Sequence, residues 1–381
     1  MDDLVQVPET VGKGMARVEL SFDAWKDGRV APATVEVPVA VLDVKDSPQL
    51  RATLQGHDDP VAKVVFAPDG KMLASRTYQG EMKLWNVASS VQFTYRSGNG
   101  SALVFLTGGR TLASSWYEPF DKDGKTLTGR YKAEEVKGYR GGIKLWDVET
   151  GKVRGVLQRQ SPRGVTDMAM SPDGKVLAAE EFWREKDDKN IKRGIALWDV
   201  VAGKVIRDLK VMAYTMAFSP DGKTLAVSNS EGVNLWDVAA NRERGKLAAE
   251  KMSVVALAFA PDGKTLAGCD LQATVHLWDV SSGEVKARMR HREGQMTSCL
   301  AFSPDGKTLA VGIGPRNSQV IEPGEIVLWD PATREKRLTL HGHIGNVQSL
   351  GFSADGTLLA SGGADKTIKL WDLTSRSASK R

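Results

Sequence analysis

Phe302-Ser-Pro-Asp-Gly306, followed after a short span by Leu328-Trp329-Asp330, is the stretch whose reading decides the fold. An apolar run ends at Phe302, Pro304 cannot donate to a strand ladder, and Asp305-Gly306 is a hairpin signal, so the first half reads as strand followed by turn. The same punctuation recurs at Phe66 to Gly70, Met170 to Gly174, Phe218 to Gly222, Phe259 to Gly263 and Phe352 to Gly356, with a decayed copy at Phe105-Leu-Thr-Gly-Gly109. The closing half recurs at Leu84-Trp85-Asn86, Leu145-Trp146-Asp147, Leu197-Trp198-Asp199, Leu235-Trp236-Asp237, Leu277-Trp278-Asp279 and Leu370-Trp371-Asp372. The chain is therefore an array of seven units, and a repeat of this period is one supersecondary module stacked on its neighbours.

The array also governs what length and composition mean. The 381 residues would otherwise suggest two domains, but a repeat array makes one large ring the simpler expectation. With 41% hydrophobic and 26% charged residues, neither wholesale disorder nor a coiled coil is indicated. Basic residues exceed acidic ones by 52 to 47, a net charge of +5 with no concentrated block, which disfavours a protein that tracks phosphates. Cys269 and Cys299 fall in neighbouring repeats without a CxxC, so two buried thiols are expected rather than zinc or redox chemistry. The start Met1-Asp2-Asp3-Leu4 has neither a basic nor an apolar leader region, and the expectation is a soluble cytoplasmic protein without a membrane span.

Residues 1–48 stand outside the repeat. Arg17 to Phe22 alternates as a half-buried strand, Asp27-Gly28 is a turn signal, and Thr34 to Val44 is a second β-rich run. Two strands cannot bury a core alone, so this β-rich extension is expected to lie on the ring, to pair with a partner, or to be the remnant of a β-sandwich domain. Residues 49–373 form the array and 374–381 a polar, flexible tail.

Gly56-His57 and Gly342-His343, the Pro-Asp-Gly hairpins and the Trp-Asp pairs occur together, and over about residues 50 to 373 the chain resembles the WD-repeat β-propeller family. Successive repeat tryptophans lie 61, 52, 38, 42, 51 and 42 residues apart, so three of the repeats carry insertions. The resemblance implies an all-β, seven-bladed propeller of four-stranded antiparallel blades. The tail after Asp372 is too polar to be a strand, so Leu50-Arg-Ala-Thr-Leu54 is expected to close the ring.

The resemblance also implies a structural tetrad in the last repeat: Asp365 orienting His343, which bonds Ser361, which accepts from the indole of Trp371. The residue types match a catalytic triad. Against that reading, the serine has no nucleophile elbow and the family uses the trio as interior structure. Repeat 1 keeps His57, Ser75 and Trp85 but has Gln79 in place of the aspartate. No histidine pair has metal-ligand spacing, and Asp121-Lys-Asp123-Gly124 lacks the downstream ligands of a calcium loop. No metal or cofactor is expected.

Insertions at 116–140, 181–193 and 313–325 all fall between the second and third strands of their units, a connection that the resemblance implies emerges on one face, conventionally the top. Long loops on one end of a rigid scaffold are the usual place for function. The first two, on neighbouring blades, bring Trp116, Tyr117, Phe120, Tyr131, Phe182, Trp183 and Arg184 to a candidate protein-contact surface. The competing reading is that these rings pack on one another to hold two long loops down. Positions matched to Asn346 and Gln348 around the pore mouth, Tyr214 among them, are uncharged, which suits a peptide better than a phosphate, a metal or an ionised substrate. The sequence therefore points to a non-catalytic scaffold binding a protein or peptide. A regulatory or sensory module of a larger protein stays open. So does a propeller enzyme, which a deep pocket lined by Glu118, Glu181 or Glu322 would favour.

Overall fold

The computed structural model describes residues 50–374 apart from 90–91, 97–98, 107, 124, 128–134, 161–162, 185–189, 248–252, 292–293 and 317–321, together with the backbone of two strands before them. Those two, Ala16–Leu20 and Ala33–Val37, pair antiparallel in register Ala16 to Val37. They belong to a separate compact unit, Met1–Asp46, while Ser47–Arg381 forms the other. The remaining strands make seven four-stranded antiparallel sheets.

Blade 1 runs Val61–Phe66, Met72–Thr77, Glu81–Asn86 and Gln92–Arg96, and blade 2 runs Leu103–Phe105, Thr111–Phe120, Gly138–Asp147 and Val153–Leu157. Blade 3 is Gly164–Met170, Val176–Trp183, Lys192–Asp199 and Lys204–Leu209; blade 4 is Thr215–Phe218, Thr224–Asn229, Gly232–Asp237 and Arg242–Lys246. Blade 5 is Val254–Phe259, Thr265–Asp270, Thr274–Asp279 and Val285–Arg290; blade 6 is Gln295–Phe302, Leu309–Pro315, Pro323–Trp329 and Lys336–Ile344. Blade 7 takes Val347–Phe352, Leu358–Gly363 and Ile368–Asp372 from the end of the array and its outer strand, Leu50–Leu54, from the beginning. The first strands of the blades touch one another in ring order, and that of blade 7 touches that of blade 1. The expected seven-bladed, strand-closed propeller is the structure observed.

Each blade is apolar on both faces because each face meets a neighbour. Ile368 and Leu370 pack with Val61, Val64 and Leu73 of blade 1. Trp371, on the opposite face, packs with Ile326, Leu328 and Leu340 of blade 6. Polar staples join the seams near the axis: Arg76 Nε to Gly100 O (2.6 Å), Ser101 Oγ to Thr166 O (3.2 Å) and Met216 N to Asp167 Oδ2 (3.2 Å). Ser228 Oγ to Val254 O (2.9 Å), Thr297 Oγ1 to Asp270 O (2.6 Å), Ser298 Oγ to Val347 O (2.5 Å) and Val64 N to Ser349 Oγ (3.1 Å) complete the circuit, so all seven seams are bonded.

The two punctuation marks have local causes. In the hairpin, Ser303 Oγ donates to Asp305 Oδ1 (2.6 Å), Lys307 N donates to the same oxygen (3.0 Å), and Gly306 closes the turn at φ +70°. That left-handed backbone is why glycine stands there. The loop is longer than the two-residue turn that Asp-Gly alone suggests, since Ser303 N bonds back to Thr308 O (2.8 Å). In the Trp-Asp pair, the carboxylate caps the next turn: Asp330 Oδ1 accepts from Ala332 N (2.8 Å) and Thr333 N (3.0 Å).

Blade 7 holds the full tetrad. His343 Nε2 lies 2.7 Å from Ser361 Oγ, Trp371 Nε1 donates to the same hydroxyl at 2.9 Å, and His343 Nδ1 lies 2.9 Å from Asp365 Oδ2. Burial pushes the Asp365 carboxyl up, but the His343 hydrogen bond and charge outweigh it and hold the pKa at about 2. Blade 1 corrects the expectation based on Gln79. There Glu81 Oε2 takes the aspartate's place, 2.6 Å from His57 Nδ1, with Ser75 bonded to both His57 Nε2 (2.7 Å) and Trp85 Nε1 (2.8 Å). Blade 3 substitutes a charged set: Trp198 Nε1 and Arg159 Nε both donate to Glu181, at 3.2 and 2.7 Å. Blade 4 has no substitute among the described residues, and Trp236 Nε1 is buried without a partner.

Candidate functional site

The first strands line an axial channel of about 320 Å³. Five of them carry a register shift, at Ala62, Thr166, Val255, Ser298 and Gln348. A bulge breaks the strict alternation of a strand, so consecutive residues such as Ala62 and Lys63, or Thr166 and Asp167, both face the axis. The matched mouth positions are uncharged, but Lys63 and Asp167 beside them bring one basic and one acidic side chain to the channel lining. A period-two reading sends those residues to the opposite face, which is why the sequence does not announce them.

Asp167 pairs in register with Glu180 on the next strand. Glu180 has no exposed surface; burial raises its pKa to about 8, with Arg193 opposing and Asp167 adding to the rise. Burial likewise raises Asp167, against the attraction of Lys63. Thr166 Oγ1 donates to Glu180 and Arg193 Nη1 lies 3.4 Å away, so the acid is enclosed in the blade. Glu181, a candidate pocket carboxylate on sequence grounds, is 2% exposed and belongs to the blade 3 network with Arg159, Arg163 and Trp198.

The mouth of the channel carries Tyr214, 41% exposed, and Tyr78, 54% exposed, on the turn after the second strand of blade 1. Tyr78 has no counterpart in the motif, and only its position in a top-face turn could have singled it out. Gln348 Oε1 and Asn346 Oδ1 are buried and make no hydrogen bond, while Asn346 Nδ2 reaches Met296 Sδ at 3.6 Å. Two side-chain carbonyls thus lack donors, that of Gln348 in the channel lining and that of Asn346 two residues before it.

The insertions of blades 2 and 3 begin and end as extensions of the blade strands. Pairing between the second and third strands of blade 2 runs from Asp147 to Gly138, and that of blade 3 from Val176 to Trp183. Together they form a wall. Tyr117, Tyr139 and Phe182 make a closed trio, with centroids 5.1 Å apart for Tyr117–Phe182 and 4.8 Å for Tyr139–Phe182, both edge to face. Phe182 is 7% exposed, and its ring occupies the space a side chain at Gly164 would need, 2.1 Å from an ideal Cβ. Trp183 is stacked under Arg163 at 3.7 Å, Phe120 under Arg140 at 5.2 Å and Trp116 under Lys144 at 4.9 Å. Arg184 Nη1 bonds the carbonyl of Val136 and so ties one insertion to the other. Tyr131 lies outside the described residues. Tyr117 and Phe182 therefore hold the wall together, whereas Trp116, Phe120, Trp183 and Arg184 keep part of their surface exposed.

Other candidates resolve into structure. Asp121 Oδ1 accepts from Asp123 N and Lys125 N, both at 2.9 Å, and so caps its own turn. Among the described residues no three His, Cys, Asp or Glu side chains are grouped to hold a metal, and no helix is long and apolar enough to cross a membrane. Cys269 and Cys299 are free and buried, and burial pushes the Cys269 thiol up to about 12.

Comparison with known proteins agrees with this architecture. The family model described as WD domain, G-beta repeat matches residues 48–86, 242–279 and 334–372. Periodic tryptophan protein 2 of Arabidopsis thaliana is 26% identical over 223 residues, covering 48% of the chain and 22% of that protein. The guanine nucleotide-binding protein subunit beta of Oryza sativa subsp. indica is 23% identical over 327 residues, 83% of the chain and 70% of that protein. WD repeat-containing protein 26 homolog of Arabidopsis thaliana is 26% identical over 336 residues, 85% of the chain and 50% of that protein. The chain thus spans about a fifth of the first of these relatives and half of the third.

Proposed function

Because the chain is a WD-repeat β-propeller, we propose that it is a non-catalytic scaffold that binds an extended peptide segment of a protein partner across the top mouth of its channel. The observation that carries this reading is the pairing of the donor-less side-chain carbonyl of Gln348 with exposed Tyr78 and Tyr214 on the channel lining, with the equally donor-less carbonyl of Asn346 two residues before it. An extended backbone offers N–H donors to the carbonyls, and tyrosine supplies large contact area with few rotamers to freeze. The wall of Trp116, Phe120, Trp183 and Arg184 stands beside the mouth on blades 2 and 3 and would fix the direction of the segment. Relatives named as a G-protein β subunit and as WD-repeat proteins support a role in protein assemblies.

Panning a random peptide library on the full chain tests the reading, with Tyr78→Ala/Tyr214→Ala as the comparison after its thermal transition is matched to wild type. Peptides enriched by wild type should bind the double variant at least about tenfold more weakly, about 1.4 kcal/mol. Equal binding by both proteins would remove the mouth from the interaction. A second reading, one propeller module within a larger regulatory protein, is favoured by the coverage of much longer relatives; the size of the native protein on an immunoblot decides it.

A further inference from the structure

In blades 1 and 7 a single serine hydroxyl joins an imidazole to the repeat tryptophan. Blade 6 keeps the two rings and loses the bridge. His291 stands edge-on to Trp329 with centroids 5.6 Å apart at 72°, close to the 6.1 Å and 64° of His57 and Trp85. Trp329 pairs with Leu309, and two residues further along, where blades 1 and 7 have serine, blade 6 has Val311. Consequently His291 Nε2 and Trp329 Nε1 are buried and make no hydrogen bond. His341 Nδ1, 3.9 Å from Glu325 Oε1, makes none either.

All three side chains line one cleft of about 420 Å³ in the seam between blades 5 and 6, which shares no lining residue with the channel. Val327 and Gln295 line it too, and Arg290 and Lys336 stand exposed at its edge. Leaving a buried polar group unpaired costs about 1–3 kcal/mol, so several such atoms on side chains that line one cavity mark unused capacity to bond a ligand. The type of ligand follows from the inventory. An indole N–H, a guanidinium and an ammonium can only donate, so the missing partner is an acceptor. Burial and Lys336 press His291 down to a pKa of about 4, which leaves it uncharged at neutral pH. Arg290 and Lys336 against Glu325 then leave one net positive charge, which suits a monoanion and opposes a dianion.

We propose that this cleft binds a small organic carboxylate, with Trp329 Nε1, Arg290 and Lys336 as its donors. The test is the indole N–H resonance of Trp329 in the isotope-labelled full chain, assigned by Trp329→Phe, during titration with sodium acetate against sodium chloride at equal ionic strength. Acetate should shift it saturably and chloride should not. In Lys336→Glu, a change at an exposed position, the acetate dissociation constant should rise roughly tenfold. A resonance indifferent to acetate, or an acetate response unchanged in Lys336→Glu, overturns the site. A response to phosphate and not to acetate overturns the ligand class. Trialanine and its amide separate the sources: a response to the free acid alone shows that a chain terminus fits, and a response to acetate but to neither peptide confines the site to free small acids.

Discussion

At the scale of single residues the propeller is held by a few buried polar atoms whose partners can be named. Ser361 receives both His343 and Trp371, so Ser361→Ala leaves two buried nitrogens without a bond and should lower stability by about 2–4 kcal/mol, read from urea unfolding. A loss under about 0.5 kcal/mol would mean the tetrad is idle. Glu180 predicts a pH dependence with a definite sign. Its pKa rises from an ordinary 4.5 to about 8 in the fold, so between those values the folded state holds a proton that the unfolded state has released. Stability therefore falls as pH rises through that window and levels off above it. Glu180→Gln should raise the melting temperature near about pH 9, leave it little changed near about pH 5, and flatten the slope between. An unchanged slope would show that the acid is not the cause. The sequence displayed His343, Ser361, Asp365 and Trp371 because they sit at motif positions. It hid Glu81 and Glu181 because hydrogen bonding asks only for an acceptor within reach, and a longer carboxylate on a different residue supplies one.

At the scale of elements, strands and turns were legible from the recurring Pro-Asp-Gly and Trp-Asp, and the closing strand from the polarity of the residues after Asp372. Leu50–Leu54 pairs with Ile368–Asp372 through Leu50 to Trp371 and Leu54 to Ile368. Removing residues 1–55 would turn Ile368–Asp372 into an open edge and uncover Ile368 and Leu370, which are at most 1% exposed. The truncated chain should lose its single cooperative thermal transition or associate through that edge, as calorimetry and light scattering would report. An unchanged transition would refute closure by this strand. Two element-level features stayed hidden. The bulges that turn Lys63 and Asp167 toward the axis arise from pairing register, which one strand's sequence does not carry. The wall strands continue through Tyr117 to Phe120 and Gly138 to Arg140, where charged residues interleaved with rings mask the alternation that marks a strand.

At the scale of the whole molecule, seven bonded seams make a ring in which no blade is held by its own hairpins alone. Repeat arrays of this kind draw their stability from neighbour interfaces. The site follows from that architecture, since a rigid ring with wall-like extensions on two adjacent blades offers an asymmetric mouth. The count of blades and the face of the insertions could be read in advance; the donor-less carbonyls and the cleft in the seam between blades 5 and 6 required coordinates, because both depend on which groups fail to meet.

The closure has one more consequence, in mechanics. Leu50 lies opposite Trp371, so the residues leading into the ring and those leading out depart from the same end of blade 7. Tension applied between them peels the pair one bond after another, from Leu50 and Trp371 toward Leu54 and Ile368, instead of loading all the bonds together in shear. A ring bonded at every seam is thus a zipper to a pulling force, and it opens first at its clasp.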